Sequence, residues 1–178
     1  MTARIVSFPH VARRDASVLI LGSMPGAASL QAGQYYAHPR NAFWPIMREL
    51  LGFSATASYR ERLEALQERR IALWDVIGSC ERIGSLDSDI EPESMVVNDF
   101  EPFFAAHRRI VLVCFNGATA ERYYRRHVEP AGAGRNLQCV RLPSTSPAHA
   151  SLALPDKVAA WRSVIAPHLH AQRRPNTR

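Results

Sequence analysis

The chain has 178 residues, 47% of them hydrophobic and 21% charged, enough apolar material for one packed domain and no compositional case for disorder. No stretch approaches the roughly eighteen consecutive apolar residues of a membrane span, and no signal-peptide stretch follows Met1, so a soluble, cytoplasmic protein without membrane attachment is expected. The net charge of +6 is carried almost wholly by arginine, Lys157 being the only lysine, and reads either as an affinity for polyanions or as an arginine-rich coding bias.

Residues 1–16 mix apolar residues with Pro9 and Arg13-Arg14 and are expected to wrap the surface. Ser17-Val18-Leu19-Ile20-Leu21, bounded by Gly22, suits a buried parallel strand. A long loop over 23–42 comes next, and a structureless loop of that length is usually functional. Helices are predicted over 43–51, ending at Gly52, and over 59–70. Residues 71–77 read as the next strand and 78–89 as a Ser- and Asp-rich loop. Asn98 reads as the N-cap of a helix over 99–107. Residues 110–115 form the cleanest buried strand, ending at Asn116-Gly117 before a helix over 118–128. A fourth strand over 138–142 runs into Pro143-Ser144-Thr145-Ser146-Pro147, and a last helix spans 155–168. Residues 1–170 make one domain, and the Arg-rich tail over 171–178 is expected to be disordered. Strands alternating with helices imply a three-layer α/β/α sandwich around a mainly parallel four-stranded sheet.

In such a sheet, ligands bind beyond the carboxyl ends of the strands. The segments that matter are therefore Gly22-Ser23-Met24-Pro25-Gly26, residues 78–89, Asn116-Gly117 and residues 143–149. The first lacks the Gly-Lys-Ser/Thr ending of a phosphate-cradling loop and the spacing of a dinucleotide fingerprint. Neither a Gly-x-Ser-x-Gly elbow nor an HExxH motif occurs. Cys80, Cys114 and Cys139 are scattered, which fits neither a disulfide framework nor a zinc or iron–sulfur pattern. No metal and no cofactor is expected.

Gly22-Ser23-Met24-Pro25-Gly26, with Ala37-His38-Pro39-Arg40-Asn41-Ala42-Phe43-Trp44 further on, resembles the first motif of the uracil-DNA glycosylase superfamily. The arrangement looks most like the mismatch-specific uracil/thymine branch and the related hypoxanthine (deoxyinosine) branch. Pro143-Ser144-Thr145-Ser146-Pro147-Ala148 is similar to the second motif, a Ser-Pro loop after the last strand. Trp74-Asp75-Val76 with Ser85-Leu86-Asp87-Ser88-Asp89 also resembles the hypoxanthine branch. The resemblance covers residues 18–168 and implies a monofunctional, monomeric DNA glycosylase acting on DNA with deaminated bases, hypoxanthine first, then uracil or xanthine. Such an enzyme extrudes the damaged nucleotide and holds its base in a pocket. Cleavage leaves a positively charged sugar and an anionic base, so the site needs hydrogen-bond donors and a positioned water.

Met24 stands where the mismatch-specific branch has the asparagine that positions this water, and a thioether cannot orient a hydroxide. The hypoxanthine branch shares that loss, and the resemblance implies that Asn41 takes the catalytic role. Its amide would orient water or bind the leaving base, since an asparagine is no general base at neutral pH. The alternative for Asn41 is an N-cap of the next helix. Ser23, Met24, Phe43 and Asn116 are the expected base-binding residues, with Phe43 as stacking platform or, alternatively, a core anchor as Trp44 is. Asn116 reads equally as a cleft-facing amide and as an N-cap. Asp75 reads as a turn cap or a ligand-facing acid, and Asp87 and Asp89 as loop formers. Ser144, Ser146 and His149 are expected DNA contacts, their hydroxyls and loop amides on phosphates. His149 lies where many superfamily members carry an apolar wedge, and a plain surface histidine is its alternative. Arg122, Arg125 and Arg126 share one helical face, a solvated one or a DNA contact. Lys157 is expected on a helix surface. The competing function is a non-catalytic nucleic-acid-binding module of the same fold, which Met24 alone favours.

Overall fold

Short apolar runs without helical periodicity form strands, and the amphipathic stretches between them form helices. The computed structural model describes residues 4–134 and 136–169; the predicted tail lies outside the described residues. In chain order the elements are β1 (Arg4–Val6), β2 (Val18–Gly22), α1 (Ala27–Ala32), α2 (Phe43–Leu51), α3 (Tyr59–Glu68), β3 (Ile71–Asp75) and β4 (Ile77–Glu81). Then come β5 (Val96–Val97), α4 (Phe100–Ala106), β6 (Leu112–Asn116), α5 (Ala118–His127), β7 (Gln138–Leu142) and α6 (Leu154–Ile165).

The main sheet is parallel throughout, in the order β3-β2-β6-β7. A parallel sheet covered on both faces needs apolar side chains on both, and successive side chains alternate between them. Val18, Ile20, Ile71, Leu73, Leu112 and Cys114 enter one core, closed by Phe43, Ile46 and Met47 of α2, Leu66 of α3, and Trp161 and Ile165 of α6. Leu19, Leu21, Ala72, Trp74, Val113 and Phe115 enter the other, closed by Phe100 and Phe103 of α4 and Ala120 and Tyr124 of α5. These are the three layers that the alternation of elements implies.

Four local expectations are corrected. Residues 1–16 do more than wrap the surface: β1 pairs antiparallel with β4, and Val11 bridges Leu73. The strand expected over 71–77 breaks at Val76, whose N–H bonds Gly22 O at 2.9 Å, and β4 then builds a second sheet, β1-β4-β5, out of a stretch expected as loop. The long loop after β2 contains α1. Asn98 caps no helix; its Nδ2 donates to Asp75 O at 2.8 Å, holding β3 where it breaks, and α4 begins after Asp99 without a side-chain cap. All but the α1 correction involve a partner far away in the chain, which local pattern does not report. Among the described residues no helix is long and apolar enough to cross a membrane.

Candidate active site

The four strand-end segments meet at one cleft of about 680 Å³, within the range of small-ligand sites. Parallel register brings them there: Gly22 of β2 lies beside Asp75 of β3, and Asn116 of β6 beside Leu142 of β7. Ser23, Met24, Asn41, Asn116, Ser144, Ser146 and His149 all line the cleft. Phe43 does not.

Phe43 is fully buried in the core, and Tyr36 stacks on it with ring centroids 4.0 Å apart. Tyr36, rather than Phe43, is the aromatic residue of this stack that lines the cleft. Tyr36 has φ 54°, a left-handed conformation that is unfavourable for a bulky residue and that the stack on Phe43 helps to hold. Met24 lines the cleft as a buried residue, 7% exposed. Its side chain packs with Ile77, Cys80 and Ile90 beneath the second sheet, so it offers a base no polar group. Ser23 Oγ donates to Asp87 Oδ2 at 2.7 Å. Asn41 Oδ1 accepts from Phe43 N–H at 2.9 Å, a turn bond to the first residue of α2, but the N-cap position itself is Ala42, so Asn41 is not the cap.

The Ser-Pro loop is fastened from three elements. Asn116 Oδ1 accepts from Thr145 N–H and Asn116 Nδ2 donates to Thr145 Oγ1, both at 2.9 Å. Asn116 thus clamps the loop and caps no helix. Ala42 N–H, just before α2, bonds Thr145 O at 2.9 Å, which ties the first motif to the second. From α6, Trp161 Nε1 bonds Pro143 O at 2.9 Å and Lys157 Nζ bonds His149 O at 2.7 Å. Lys157 is therefore not a surface lysine; it is 5% exposed, and burial lowers its pKa. Gly117, at φ 93°, leaves room for this loop, since a Cβ there would stand 2.9 Å from Ser144 Cβ. Ser144 Oγ and Ser146 Oγ accept from the N–H groups of Ser146 and Ala148, bracing the turn, and His149 is exposed at its end.

Two carboxyls stand on the cleft floor, Asp75 and Asp87. Burial, then the neighbouring Asp87, push Asp75 up to about 8, with Arg82 opposing. Asp87 is raised as well, by burial, against the Ser23 hydroxyl, Arg82, Arg122 and His149. Arg82, itself buried, donates to Pro25 O at 2.6 Å and Gly84 O at 3.1 Å, fastening the first motif loop to the segment after β4. On α5, Arg125 pairs with Glu121 of the same helix and Glu129 just beyond it, while Arg122 lies over Tyr123 and also acts on Asp87. The residues that sequence reasoning missed are Tyr36, Thr145 and Arg82. The doubled aromatic Tyr35-Tyr36 before the His-Pro step, and the threonine inside the Ser-Pro loop, are the signals that could have found the first two. Among the described residues no three His, Cys, Asp or Glu side chains gather as a metal site.

The family model of the uracil DNA glycosylase superfamily matches residues 8–169. A hypoxanthine DNA glycosylase of Methanosarcina acetivorans is 34% identical over 159 residues, which cover 89% of this chain and 96% of that protein. A hypoxanthine DNA glycosylase of Methanosarcina barkeri is 38% identical over 117 residues, 65% of this chain and 73% of that one. The solution NMR structure of a Methanosarcina acetivorans protein, described as a candidate uracil DNA glycosylase, matches with TM-score 0.77 at 32% identity, covering 93% of this chain and 99% of its own.

Proposed function

The chain belongs to the uracil DNA glycosylase superfamily, and we propose that it is an intracellular, monofunctional DNA glycosylase that hydrolyses the N-glycosidic bond of deaminated bases, hypoxanthine first. One observation carries this: both motif loops line a single cleft in a chain 34% identical, over 89% of its length, to a hypoxanthine DNA glycosylase.

In this reading a flipped base lies against Tyr36, whose ring is backed by Phe43. Asn41 works as a donor. Its oxygen is taken by α2, so the amide nitrogen is the group left to hold the attacking water or the base carbonyl that gains charge. Ser144, Ser146 and His149 meet the DNA at the rim. No cofactor is required.

Incubation with oligonucleotides containing deoxyinosine or deoxyuridine, single- and double-stranded, and then with alkali, tests this. The expected result is alkali-labile breaks at deoxyinosine. Tight binding of these oligonucleotides without abasic sites would instead identify a non-catalytic binding module.

A further inference from the structure

One carboxyl on the cleft floor holds neither the fold nor the Ser-Pro loop. Asp75 ends β3, is 3% exposed, and its Oδ2 has no hydrogen-bond partner among the described residues. A buried carboxyl left in that state is costly unless a proton or a ligand satisfies it. The group lines the cleft and leans over Gly22, where a Cβ would stand 2.4 Å from Oδ1. Tyr36 Oη, also buried and near the Asn116 amide, lies 3.0 Å from the same point. The charged and titratable groups that act on Asp75 are Asp87, Arg82, Tyr35 and Tyr36. Arg82 serves the Gly84 and Pro25 carbonyls through Nε and Nη2 and keeps a buried Nη1 without a hydrogen bond, and Asp87 is bonded by Ser23.

We infer that Asp75 is the catalytic acid of this site, giving its proton to a ring nitrogen of the departing purine so that the base leaves uncharged. This role rests on the glycosylase reading. The C1′–N9 bond breaks with its electron pair moving to the base, and the Asp75 O–H proton neutralises that charge. Water adds to C1′, and the proton it releases restores the acid, so one water is consumed. Two neighbouring carboxylates cannot both stay ionised beside a base that gains negative charge. A neutral Asp75 removes that repulsion and supplies the proton in the same step. Its raised pKa, about 8, keeps the proton in place at neutral pH.

The test is single-turnover excision from a deoxyinosine duplex between about pH 6 and about pH 10, for the parent and Asp75→Asn, alongside thermal melting and affinity for an abasic-site duplex. The parent rate should stay level up to about pH 8 and then fall tenfold per pH unit. Asp75→Asn should excise about a hundredfold more slowly or worse, without the alkaline fall and with abasic-duplex affinity retained. An Asp75→Asn protein as fast as the parent, or a parent profile flat to the alkaline end, would overturn the assignment. Should Asp75→Asn not fold, the parent profile decides alone. A parent that excises while Asp75→Asn matches it removes only this acid; a parent that leaves no abasic site in any substrate removes the glycosylase reading and the acid together.

Discussion

In the proposed function Asn41 does two things with one amide, which from sequence stand as alternatives. Its oxygen serves α2, and its nitrogen is left for the cleft. Aspartate there would keep the acceptor, and a carboxylate suits a helix N-terminus, but the donor would be gone. Asn41→Asp is therefore expected to melt no lower than the parent while single-turnover excision falls about 10²–10³-fold, as for Asn41→Ala. A fast Asn41→Asp enzyme would leave Asn41 only its bond to the Phe43 N–H. Gly22 is as constrained as its neighbours, because a Cβ would meet Asp75 Oδ1 at 2.4 Å and Tyr36 Oη at 3.0 Å. Gly22→Ala should cost about 1–3 kcal/mol in urea unfolding and depress excision; an unchanged midpoint would mean that both side chains yield freely. Asp75 also couples stability to pH. Its folded pKa, about 8, lies above the unfolded value of 3.8, so the native state binds the extra proton. The stabilisation is complete below about pH 4 and is lost as pH rises through about 8. Melting of the parent should thus fall, relative to Asp75→Asn, between about pH 5 and about pH 9. Parallel melting curves for the two proteins would contradict this.

At the level of elements, the Ser-Pro loop is held by β6, by the start of α2 and by α6, with Thr145 at the centre and only 1% exposed. The outer end of the loop is closed by its own turn bond, His149 N–H to Ser146 O at 3.0 Å, and fastened to α6 by Lys157 Nζ to His149 O at 2.7 Å. Methionine matches the length of lysine and tolerates burial, but it donates nothing. Lys157→Met should therefore shift the unfolding free energy by no more than about 1 kcal/mol, since the lost bond is offset by the ammonium no longer being desolvated. Its affinity for an abasic-site duplex should drop, because the loop that carries His149 is no longer fastened. Affinity equal to the parent's would show that the remaining ties to Thr145 and Pro143 suffice. The small sheet β1-β4-β5 has a parallel role on the opposite wall: it receives Met24 into its own apolar cluster, and Arg82 beyond β4 fastens Pro25.

On the scale of the whole molecule, the fate of the DNA strand after the base has left depends on whether an amine stands at the cleft, because strand cleavage through a Schiff base needs one. Lys157 is the only lysine; its Nζ is bonded to the His149 carbonyl, and it is not among the residues that line the cleft. Strand breaks should therefore appear only after alkali or heat, and borohydride should trap no covalent DNA adduct; a trapped adduct lost in Lys157→Ala would identify that lysine as the nucleophile. The layers of this architecture were legible in the sequence. Val18-Leu19-Ile20-Leu21 and Leu112-Val113-Cys114-Phe115 are apolar at every position, and a strand of that kind has to be covered on both faces. The spacing from Gly22 to Trp44, with the Ser-Pro loop far downstream, likewise identified the superfamily and the end of the sheet where chemistry belongs. Which side chains stand in the cleft was decided only in three dimensions. Tyr36 and Phe43 are both aromatic and both near the His-Pro step, and the choice between them turns on α2 carrying Phe43 down against Trp161. Asp75 and Lys157 look like ordinary polar residues at a strand end and on a helix. One is buried by the loop after β4 and the other by the turn at His149, segments whose approach no local periodicity encodes, because burial depends on which distant parts of the chain compete for the same space.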